Sequence, residues 1–424
     1  MNAAVSSTRR FLDRLFSEAP LERVSLRLWD GSRWPDDRPR PATVVLKHPG
    51  AVRSMLASRN AKGLGEAYLR NDFDVEGDIE ESLELAVALE SKRSGFFESL
   101  ADYFRLLRLP GPEAERGARL GNSIALEGAE HSLDRDRKAV SFHYDVSNEF
   151  YQLWLDRRMI YSCGYFETPE DDLDTAQANK LRHLCRKLRL APGQRLLDIG
   201  CGWGGLAIFA ARNFGVSVVG VTLSERQAEL ANERVREAGL SDRVRIELRD
   251  YREVKVADPF DAIVSVGMSE HVGRDHLPEY FRTAWALLRP GGVFLNHAIG
   301  EGLQTDRFHG PSFVNEHVFP DGDIPPIQVV LASAAPAGFD VRDVENLREH
   351  YTLTLRHWVR RLEARREDAR KFVDEPTYRV WRLYMAASAH GFDHGDLGLY
   401  QVLLSKPMPD GATGLPLTRR DWYA

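Results

Sequence analysis

A glycine-rich turn near the middle of this 424-residue chain constrains its fold more than any other feature. The turn follows a predicted strand, Arg195–Ile199, and contains Gly200, Gly202, Gly204 and Gly205 ahead of a predicted helix. Glycines in such a turn let the backbone reverse tightly and approach a bound ligand. A strand, a glycine-rich turn and a helix in that order predict a cofactor site at the carboxyl edge of a parallel sheet.

Strands alternate with helices from about residue 140 onward, which is typical of a mixed, mostly parallel sheet with helices on both faces. The predicted strands are Arg195–Ile199, 216–221, Val244–Leu248, Phe260–Val266, 293–296 and, last in the chain, 399–404, with helices such as 225–238 and 277–288 between them. Residues 338–344, 353–372 and 378–389 are interpreted as an inserted loop and helices. This pattern predicts an α/β fold of the Rossmann-like kind.

The N-terminal part of the chain has a different pattern. Residues 24–29 alternate between apolar and polar, Asp30-Gly31 indicates a turn, and 43–46 is another strand candidate, after which the spacing becomes helical. We therefore predict a small α+β accessory domain at 1–110, a charged linker at 111–138 and a larger α/β domain at 139–424.

In the segment 96–109, aromatic and other apolar side chains recur every three or four residues, which predicts a helix with one aromatic face. Its members are Phe96, Phe97, Leu100, Tyr103, Phe104 and Leu107, with Arg93, Arg105 and Arg108 beside them. A face of this kind either packs into a core or contacts lipid. Both interpretations are open at this point.

The composition excludes several classes of protein. The counts of 57 Lys+Arg and 63 Asp+Glu give a net charge of −6, which argues against broad nucleic-acid binding. No apolar run is long enough to span a bilayer and no signal-peptide core is present, so we expect a cytoplasmic protein. Cys163, Cys185 and Cys201 match neither a disulfide framework nor a zinc site, and no metal is predicted.

Two cofactors suit the glycine-rich turn, a nicotinamide dinucleotide and S-adenosylmethionine. A dinucleotide site is expected to have an acidic residue at the end of the second strand, where this chain has Thr222. Asp198 stands just ahead of the glycines, and Asp250-Tyr251 follows the third strand. The absence of a phosphate-binding lysine motif also suits a cofactor without phosphate. These residues favour S-adenosylmethionine.

Motifs across the second domain resemble those of cyclopropane fatty acid synthases, which are class I S-adenosylmethionine-dependent methyltransferases. Leu197-Asp-Ile-Gly-Cys-Gly-Trp-Gly-Gly205 resembles motif I of that superfamily. Further matches are Phe142-His-Tyr-Asp-Val-Ser-Asn148, Met159-Ile-Tyr-Ser-Cys-Gly-Tyr165, Gly220-Val-Thr-Leu-Ser224, Ser265-Val-Gly-Met-Ser-Glu-His-Val-Gly273, Asn296-His-Ala-Ile-Gly300 and His350-Tyr-Thr-Leu-Thr-Leu-Arg-His-Trp358. The resemblance covers roughly residues 138 to 406 and implies the class I methyltransferase fold.

The resemblance also implies a reaction on a cis double bond of a phospholipid acyl chain. The double bond takes the methyl group of S-adenosylmethionine, and loss of a proton from the resulting carbocation closes a cyclopropane ring. In the family a bound bicarbonate is the base, held by residues that match Glu270, His297 and Tyr351 and by backbone that matches Cys163 and Ile299. Glu270 follows the fourth predicted strand and His297 the fifth, which places both at the edge where α/β folds bind ligands.

The family's cofactor residues also have counterparts here. The resemblance places Tyr161, Ser162, Asp198, Gly200 and Gly202 near the methionine portion, Thr222, Leu223 and Gln227 near the ribose, and Asp250 with Tyr251 near the adenine. Cys201 lies inside the glycine-rich turn, where its small size suits the site. His143 and Tyr144 are expected in a helix that covers the cofactor and excludes water.

The residues allow other interpretations. Glu270 can be a carboxylate that stabilises a helix start, and His297 can be a hydrogen-bonded core histidine. Cys163 can be a nucleophile, although the chemistry needs no acyl-enzyme and a packed thiol is expected. The same carbocation can give a methylene branch or, with water, an alcohol. A lipid-binding scaffold with an inactive methyltransferase domain is the alternative from a different class.

The implied substrate lies in a membrane. We expect weak, reversible docking of the protein on the inner face of the membrane through the segment 96–109 and its arginines. A homodimer would present two such surfaces and raise avidity.

Overall fold

The computed structural model describes residues 3–17, 21–57, 61–91, 106–111, 126–144, 146–255, 257–302 and 313–423. The chain divides into two compact units. The smaller unit contains Met1–Ser123, Gly310–Val318 and Asp374–His390, and the larger contains Ile124–His309, Phe319–Val373 and Gly391–Ala424. This division differs from the contiguous one expected from the sequence, because two later segments belong to the smaller unit.

The described residues contain helices and strands in the following order along the chain. The helices are α1 (Ala3–Leu15), α2 (Ala51–Ala57), α3 (Ala61–Leu69), α4 (Leu83–Ser91), α5 (Leu133–Tyr144), α6 (Asn148–Gln152), α7 (Leu173–Lys187), α8 (Gly205–Phe214), α9 (Glu225–Glu237), α10 (Leu277–Leu287), α11 (Phe313–His317), α12 (Ile327–Ala334), α13 (Arg348–Ala364), α14 (Arg366–Ala369) and α15 (Glu375–Asp393). The strands are β1 (Val24–Arg27), β2 (Arg33–Trp34), β3 (Ala42–Leu46), β4 (Phe73–Gly77), β5 (Arg195–Ile199), β6 (Ser217–Thr222), β7 (Val244–Leu248), β8 (Phe260–Val266), β9 (Leu288–Glu301), β10 (Asp340–Asn346) and β11 (Leu397–Ser405).

The smaller unit is built on a four-stranded sheet with the order β2-β1-β3-β4. β1 and β3 are parallel, and β2 and β4 are antiparallel to their neighbours. Arg379 of α15 is buried and donates to the carbonyl oxygens of Tyr68 (3.1 Å) and Phe73 (3.3 Å). Arg382 donates to the Tyr68 hydroxyl at 3.0 Å. These buried bonds explain why a segment so late in the chain belongs to this unit.

The larger unit contains a seven-stranded sheet with the order β10-β11-β9-β8-β5-β6-β7. The strands from β9 to β7 are parallel, and β11 is antiparallel to both β9 and β10. Apolar clusters cover the two faces of the sheet; one contains Leu184, Leu196 and Ala210, and the other contains Phe281 and Phe294. The predicted α/β fold with a mixed, mostly parallel sheet is confirmed.

The order of the strands reverses at β5. β6 and β7 follow on one side of β5, whereas β8 and β9 lie on the other side. Adjacent loops at such a position leave in opposite directions and open a crevice at the carboxyl ends of the strands. The glycine-rich turn leaves β5 at this crevice.

The sheet differs from the sequence prediction at β9 and β10. β9 runs from Leu288 to Glu301, well beyond the predicted 293–296, because it pairs with β11 from Val293 to Glu301. His297 therefore lies inside a strand and does not follow one. Residues 338–344, interpreted as part of an inserted loop and helices, include the start of β10, which is stabilised by antiparallel pairing with β11.

The predicted linker also differs in part. Residues 112–125 lie outside the described residues, but 134–138 form the first turns of α5, where Arg135 pairs with Asp321 and Asp136 with Arg252.

Of the predicted aromatic helix, residues 92–105 lie outside the described residues, including Arg93, Phe96, Phe97, Leu100, Tyr103, Phe104 and Arg105. None of the helices in the described ranges is both long enough and apolar enough to span a bilayer.

Candidate active site

A pocket in the larger unit lies at the carboxyl ends of β5, β6 and β7, at the strand-order reversal. Every residue that the sequence predicts at the cofactor lines this pocket, namely Tyr161, Ser162, Asp198, Gly200, Cys201, Gly202, Thr222, Leu223, Gln227, Asp250 and Tyr251. The structure brings these residues together from four chain segments, 161–162, 198–202, 222–227 and 250–251. The individual contacts of each residue with a cofactor stay predictions.

The glycine-rich turn forms the floor of the pocket. Gly200 (φ +77°) and Gly204 (φ +75°) adopt left-handed conformations that favour glycine. The backbone N–H groups of Gly200 and Cys201 both donate to the carbonyl oxygen of Val221 at 3.0 Å, which joins the turn to the end of β6. α8 begins at this turn, and N–H groups at a helix start suit the carboxylate of an amino-acid moiety.

Thr222 and Gln227 form a buried pair beside the turn. The Thr222 hydroxyl donates to Gln227 Oε1 at 2.8 Å and accepts the backbone N–H of Ser224 at 3.2 Å. The carbonyl oxygen of Gln227 is therefore engaged by Thr222, and its amide N–H groups can donate to a ligand in the pocket. This arrangement is consistent with hydroxyl recognition by an uncharged pair in place of an acidic residue.

Arg252, which the sequence reasoning did not single out, engages the Asp250 carboxylate. Its guanidinium donates to both carboxylate oxygens, at 2.8 and 2.7 Å, and its backbone N–H donates to Oδ1 at 2.9 Å. The same guanidinium donates to Asp136 of α5 at 2.7 Å. Asp250 therefore lines the pocket in a position fixed by Arg252, which also links it to α5. Burial raises the pKa of the adjacent Tyr251 hydroxyl, which keeps this residue neutral.

α5 covers one side of the pocket, as the sequence predicts for the helix that contains His143 and Tyr144. Val140 and Tyr144 line the pocket, and the His143 ring stacks on Phe319 with ring centroids 3.9 Å apart. Arg135 donates to both carboxylate oxygens of Asp321, at 2.6 and 2.7 Å. Together with the link from Asp136 to Arg252, this pair anchors the start of α5.

Two buried polar side chains of α7, Gln177 and Lys180, hold the segment that contains Tyr161 and Ser162. Gln177 donates to the Ser162 carbonyl at 2.7 Å, and Lys180 Nζ donates to Ser162 Oγ at 2.9 Å. Burial lowers the pKa of Lys180 to about 8 and raises that of Asp198 to about 7. The sequence reasoning missed both α7 residues, although a Gln and a Lys three residues apart on an apolar helix face are a detectable signal.

Glu270 lies in a short 3₁₀ turn, Ser269–His271, which begins three residues after the end of β8. β8 ends at Val266 while β9 continues to Glu301, so the N–H of Ile299 has no strand partner on that side. Glu270 Oε1 accepts this N–H at 2.8 Å, whereas the buried Oε2 has no hydrogen-bond partner in the described chain. Burial raises the pKa of Glu270 to about 7. Ile299 therefore orients the carboxylate. The resemblance implies that the Ile299 N–H binds the bicarbonate, but in this structure the N–H is engaged by Glu270.

His297 is buried in β9. Its Nδ1 lies 3.1 Å from the amide nitrogen of Gln401, and its buried Nε2 has no partner among the described residues. Burial lowers the pKa of His297 well below its usual value, and the charges of Lys180 and Lys187 act in the same direction. The imidazole is therefore neutral.

Tyr351 and Cys163 complete the predicted catalytic set. Tyr351 lies in the first turn of α13, and its ring centroid is 4.7 Å from that of Phe392. Cys163 is fully buried, its thiol donates to the Gly164 carbonyl at 3.1 Å, and burial raises its pKa. Thr354 of α13 accepts the Gly164 N–H at 2.9 Å and joins the two regions. These features favour a packed thiol over a nucleophile for Cys163.

Comparison with known proteins identifies the family. Residues 131–402 match the family model of mycolic acid cyclopropane synthetase. The chain is 41% identical to a probable fatty acid methyltransferase of Pseudomonas putida, over 94% of this chain and 96% of that protein. It is 37% identical to the cyclopropane-fatty-acyl-phospholipid synthase of Escherichia coli K12, over 88% of this chain and 90% of that protein.

Solved structures agree with this relationship. A cyclopropane synthase of Mycobacterium tuberculosis matches with a TM-score of 0.60 and 33% identity, over 63% of this chain and 97% of that one. A mycolic acid cyclopropane synthase in complex with SAH and CTAB matches with a TM-score of 0.60 and 34% identity, over the same shares of the two chains. The chain therefore belongs to the mycolic acid cyclopropane synthetase family and is an S-adenosylmethionine-dependent C-methyltransferase.

Proposed function

We propose that this protein is a cyclopropane-fatty-acyl-phospholipid synthase. The observation that carries the proposal is a pair of buried polar atoms, Glu270 Oε2 and His297 Nε2, that have no hydrogen-bond partner in the described chain. Buried polar atoms normally have partners, and exceptions often mark sites that bind an ion or water. The similarity to the E. coli enzyme of that name supports the same function.

S-adenosylmethionine supplies the electrophilic methyl group when it is bound, and the residues of the pocket suit it. Asp198 Oδ2, buried and without a partner in the described ranges, can accept from the ammonium group of the methionine portion. The Gln227 amide can donate to ribose hydroxyl oxygens. Tyr144 and Tyr161, with ring centroids 6.1 Å apart, can offer their faces to a positive charge.

The polar atoms at Glu270 and His297 also suit a bicarbonate ion, which would supply the base. The neutral His297 can donate from Nε2 to an anion, and ionised Glu270 can accept from the hydroxyl of a bicarbonate. A fully ionised carbonate would be repelled by Glu270, so we propose the singly charged form. Tyr351 and the backbone of Cys163 are the further proposed contacts.

The proposed reaction makes two carbon–carbon bonds. The π electrons of the alkene form a bond to the methyl carbon while its bond to sulfur breaks, and the other alkene carbon becomes positive. A C–H bond of the new methyl group then breaks, its electrons close the ring, and its proton goes to the base. The protein must keep water away from the cation, and the anchored α5 beside Tyr144 is suited to that role.

A second product deserves a test, because two similar proteins have other names. The P. putida protein is called a probable fatty acid methyltransferase, and a protein of Mycobacterium tuberculosis that is 32% identical over 419 residues is called a tuberculostearic acid methyltransferase. From the same cation, a hydride shift and proton loss give a methylene branch. This chemistry needs the same cofactor and a base in a slightly different place.

Product analysis distinguishes the two reactions. The purified protein is incubated with S-adenosylmethionine and vesicles of a cis-monounsaturated phospholipid, with and without added bicarbonate in carbonate-depleted buffer. The two products have equal mass, so proton NMR of the modified acyl chain decides. Upfield ring protons and a rate that rises with bicarbonate are expected. Vinylidene protons would move the function to methylene branching, and a rate independent of bicarbonate would refute the proposed base.

We also propose that the protein acts in the cytoplasm and docks reversibly on the membrane that holds its substrate. α13 carries Tyr351 in its first turn, and exposed Arg360, Arg365 and Arg366 lie at and just past its other end. Clustered exposed arginines favour contact with anionic headgroups. A homodimer, which sedimentation would detect, would double such a surface.

Vesicle pelleting tests this docking. The double variant Arg360→Glu, Arg365→Glu should bind anionic vesicles more weakly than wild type at low salt, and Arg212→Glu, an exposed arginine of α8, is the matched control. Equal binding by the double variant would place the docking surface elsewhere. No pelleting of the wild-type protein would refute membrane docking.

A further inference from the structure

A row of polar side chains crosses three strands of the larger sheet. In the pairing register, His297 of β9 stands opposite Gln401 of β11, and Gln401 stands opposite Glu345 of β10. Residues directly opposite one another lie on the same face, with Cβ atoms about 5 Å apart. Leu295, two residues before His297, and Leu403, two residues after Gln401, lie on the same face of the sheet and are buried and apolar. The polar row is therefore an interruption of an apolar layer.

Gln401 is fully buried at the centre of this row. Its amide nitrogen lies 3.1 Å from His297 Nδ1, and its Oε1 has no hydrogen-bond partner in the described chain. An amide N–H can only donate, so Nδ1 accepts in this arrangement. A neutral imidazole that accepts at Nδ1 carries its proton on Nε2. The contact with Gln401 therefore selects the tautomer that can donate from Nε2.

The acidic residue of the row is held away from His297. Glu345 is paired with His183 Nε2 at 2.9 Å and with the buried Lys187. Burial alone would raise the pKa of Glu345, but the hydrogen bond from His183 and the charge of Lys187 outweigh it and lower this pKa to about 2. An acid at position 401 would instead accept from Nδ1–H and favour the other tautomer or the imidazolium. The Gln401 amide has no charge that would favour the imidazolium, and its nitrogen, which faces Nδ1, cannot accept from Nδ1–H.

We propose that Gln401 is a positioning residue that fixes His297 in the Nε2–H tautomer, so that Nε2 can donate to the anionic base of the reaction. The inference rests on the proposed function, because it assigns His297 a donor role toward a bound oxyanion. Gln401 does not line the cofactor pocket, so its effect should be confined to the anion and to turnover.

Nitrogen NMR of histidine-labelled protein tests this assignment without turnover. His297→Asn identifies the signals of His297, whose two nitrogen shifts report the tautomer. Wild type should show Nδ1 unprotonated and Nε2 protonated. Gln401→Glu should give the opposite tautomer or the imidazolium, and Gln401→Leu should give a mixture. Tyr400→Phe, which removes a hydroxyl from the adjacent residue on the other face of β11, should leave the spectrum unchanged.

Kinetics provide the second measurement. In Gln401→Glu and Gln401→Leu we expect the bicarbonate concentration for half-maximal rate to rise about 10- to 100-fold, by analogy with the loss typical when the hydrogen-bond partner of a metal-ligating histidine is removed. Affinity for S-adenosylmethionine, measured by calorimetry, should stay within about twofold of wild type, since Gln401 does not line the cofactor pocket.

The outcomes separate this inference from the proposed function. If Gln401→Glu retains the wild-type tautomer, the role of Gln401 is refuted whatever the product is. If wild-type turnover does not depend on bicarbonate, the proposed base is wrong, while the NMR spectra still decide the tautomer. If Gln401→Glu fails to fold, Gln401→Leu decides, and an unaltered spectrum in that variant refutes the inference.

Discussion

The buried carboxyl group of Glu270 should make the stability of the larger unit depend on pH. Burial raises its pKa from 4.5 to about 7. A group whose pKa is higher in the folded state stabilises that state below its unfolded pKa, and this contribution is lost as the pH rises through the folded value. The difference between the two pKa values corresponds to about 3 kcal/mol of unfolding free energy.

The variant Glu270→Gln should remove this dependence. Glutamine keeps a carbonyl oxygen that can accept the Ile299 N–H, which Oε1 accepts at 2.8 Å in the wild type, but it carries no charge. The stability of the variant relative to wild type should therefore rise by about 3 kcal/mol between about pH 4 and pH 9.

Urea unfolding followed by tryptophan fluorescence measures this difference across the pH range. Glu225→Gln, which changes an exposed glutamate at the start of α9, is the control and should show a flat difference. The reasoning is refuted if Glu270→Gln and wild type lose stability in parallel as the pH rises. Turnover of Glu270→Gln should nevertheless be lost, because its amide oxygen is engaged by the Ile299 N–H and the NH₂ group in place of Oε2 cannot accept from a bicarbonate hydroxyl.

Three further predictions concern other residues of the site. His297→Ala should reduce turnover at least about 100-fold while calorimetry shows little change in S-adenosylmethionine affinity; wild-type rates would exclude His297 from the chemistry. Gln227→Ala removes the partner of Thr222 and should weaken S-adenosylmethionine binding about tenfold by calorimetry, and an unchanged dissociation constant would contradict its ribose role. Cys163→Ser should retain substantial activity because the thiol is buried and neutral, and total loss with a trappable covalent adduct would restore the nucleophile interpretation.

The sequence was sufficient to predict the cofactor pocket because its residues follow strands in local motifs. Gly200, Thr222 and Asp250 stand at or within two residues of the ends of β5, β6 and β7, and parallel strands bring their carboxyl ends to one edge. Arg252, by contrast, is two residues from Asp250, but nothing in the sequence indicates that its guanidinium spans from there to Asp136.

The interior of the sheet was harder to predict because it depends on pairing between distant segments. The length of β9 follows from β11, about 100 residues later, and so does the position of His297 inside a strand. Gln401 contacts His297 only through that same register. A single glutamine in an apolar strand has no local pattern that separates a functional role from a structural one.

Arg252 binds both Asp250 and Asp136, and this connection bears on how the spent cofactor leaves the pocket. One guanidinium joins Asp250 in the wall of the cofactor pocket to Asp136 in α5, and Arg135 anchors the same helix to Asp321. If the spent cofactor leaves past α5, these pairs have to separate while the sheet stays intact. We therefore expect the residence time of the spent cofactor to depend on the opening of α5, as in enzymes whose covering elements limit turnover.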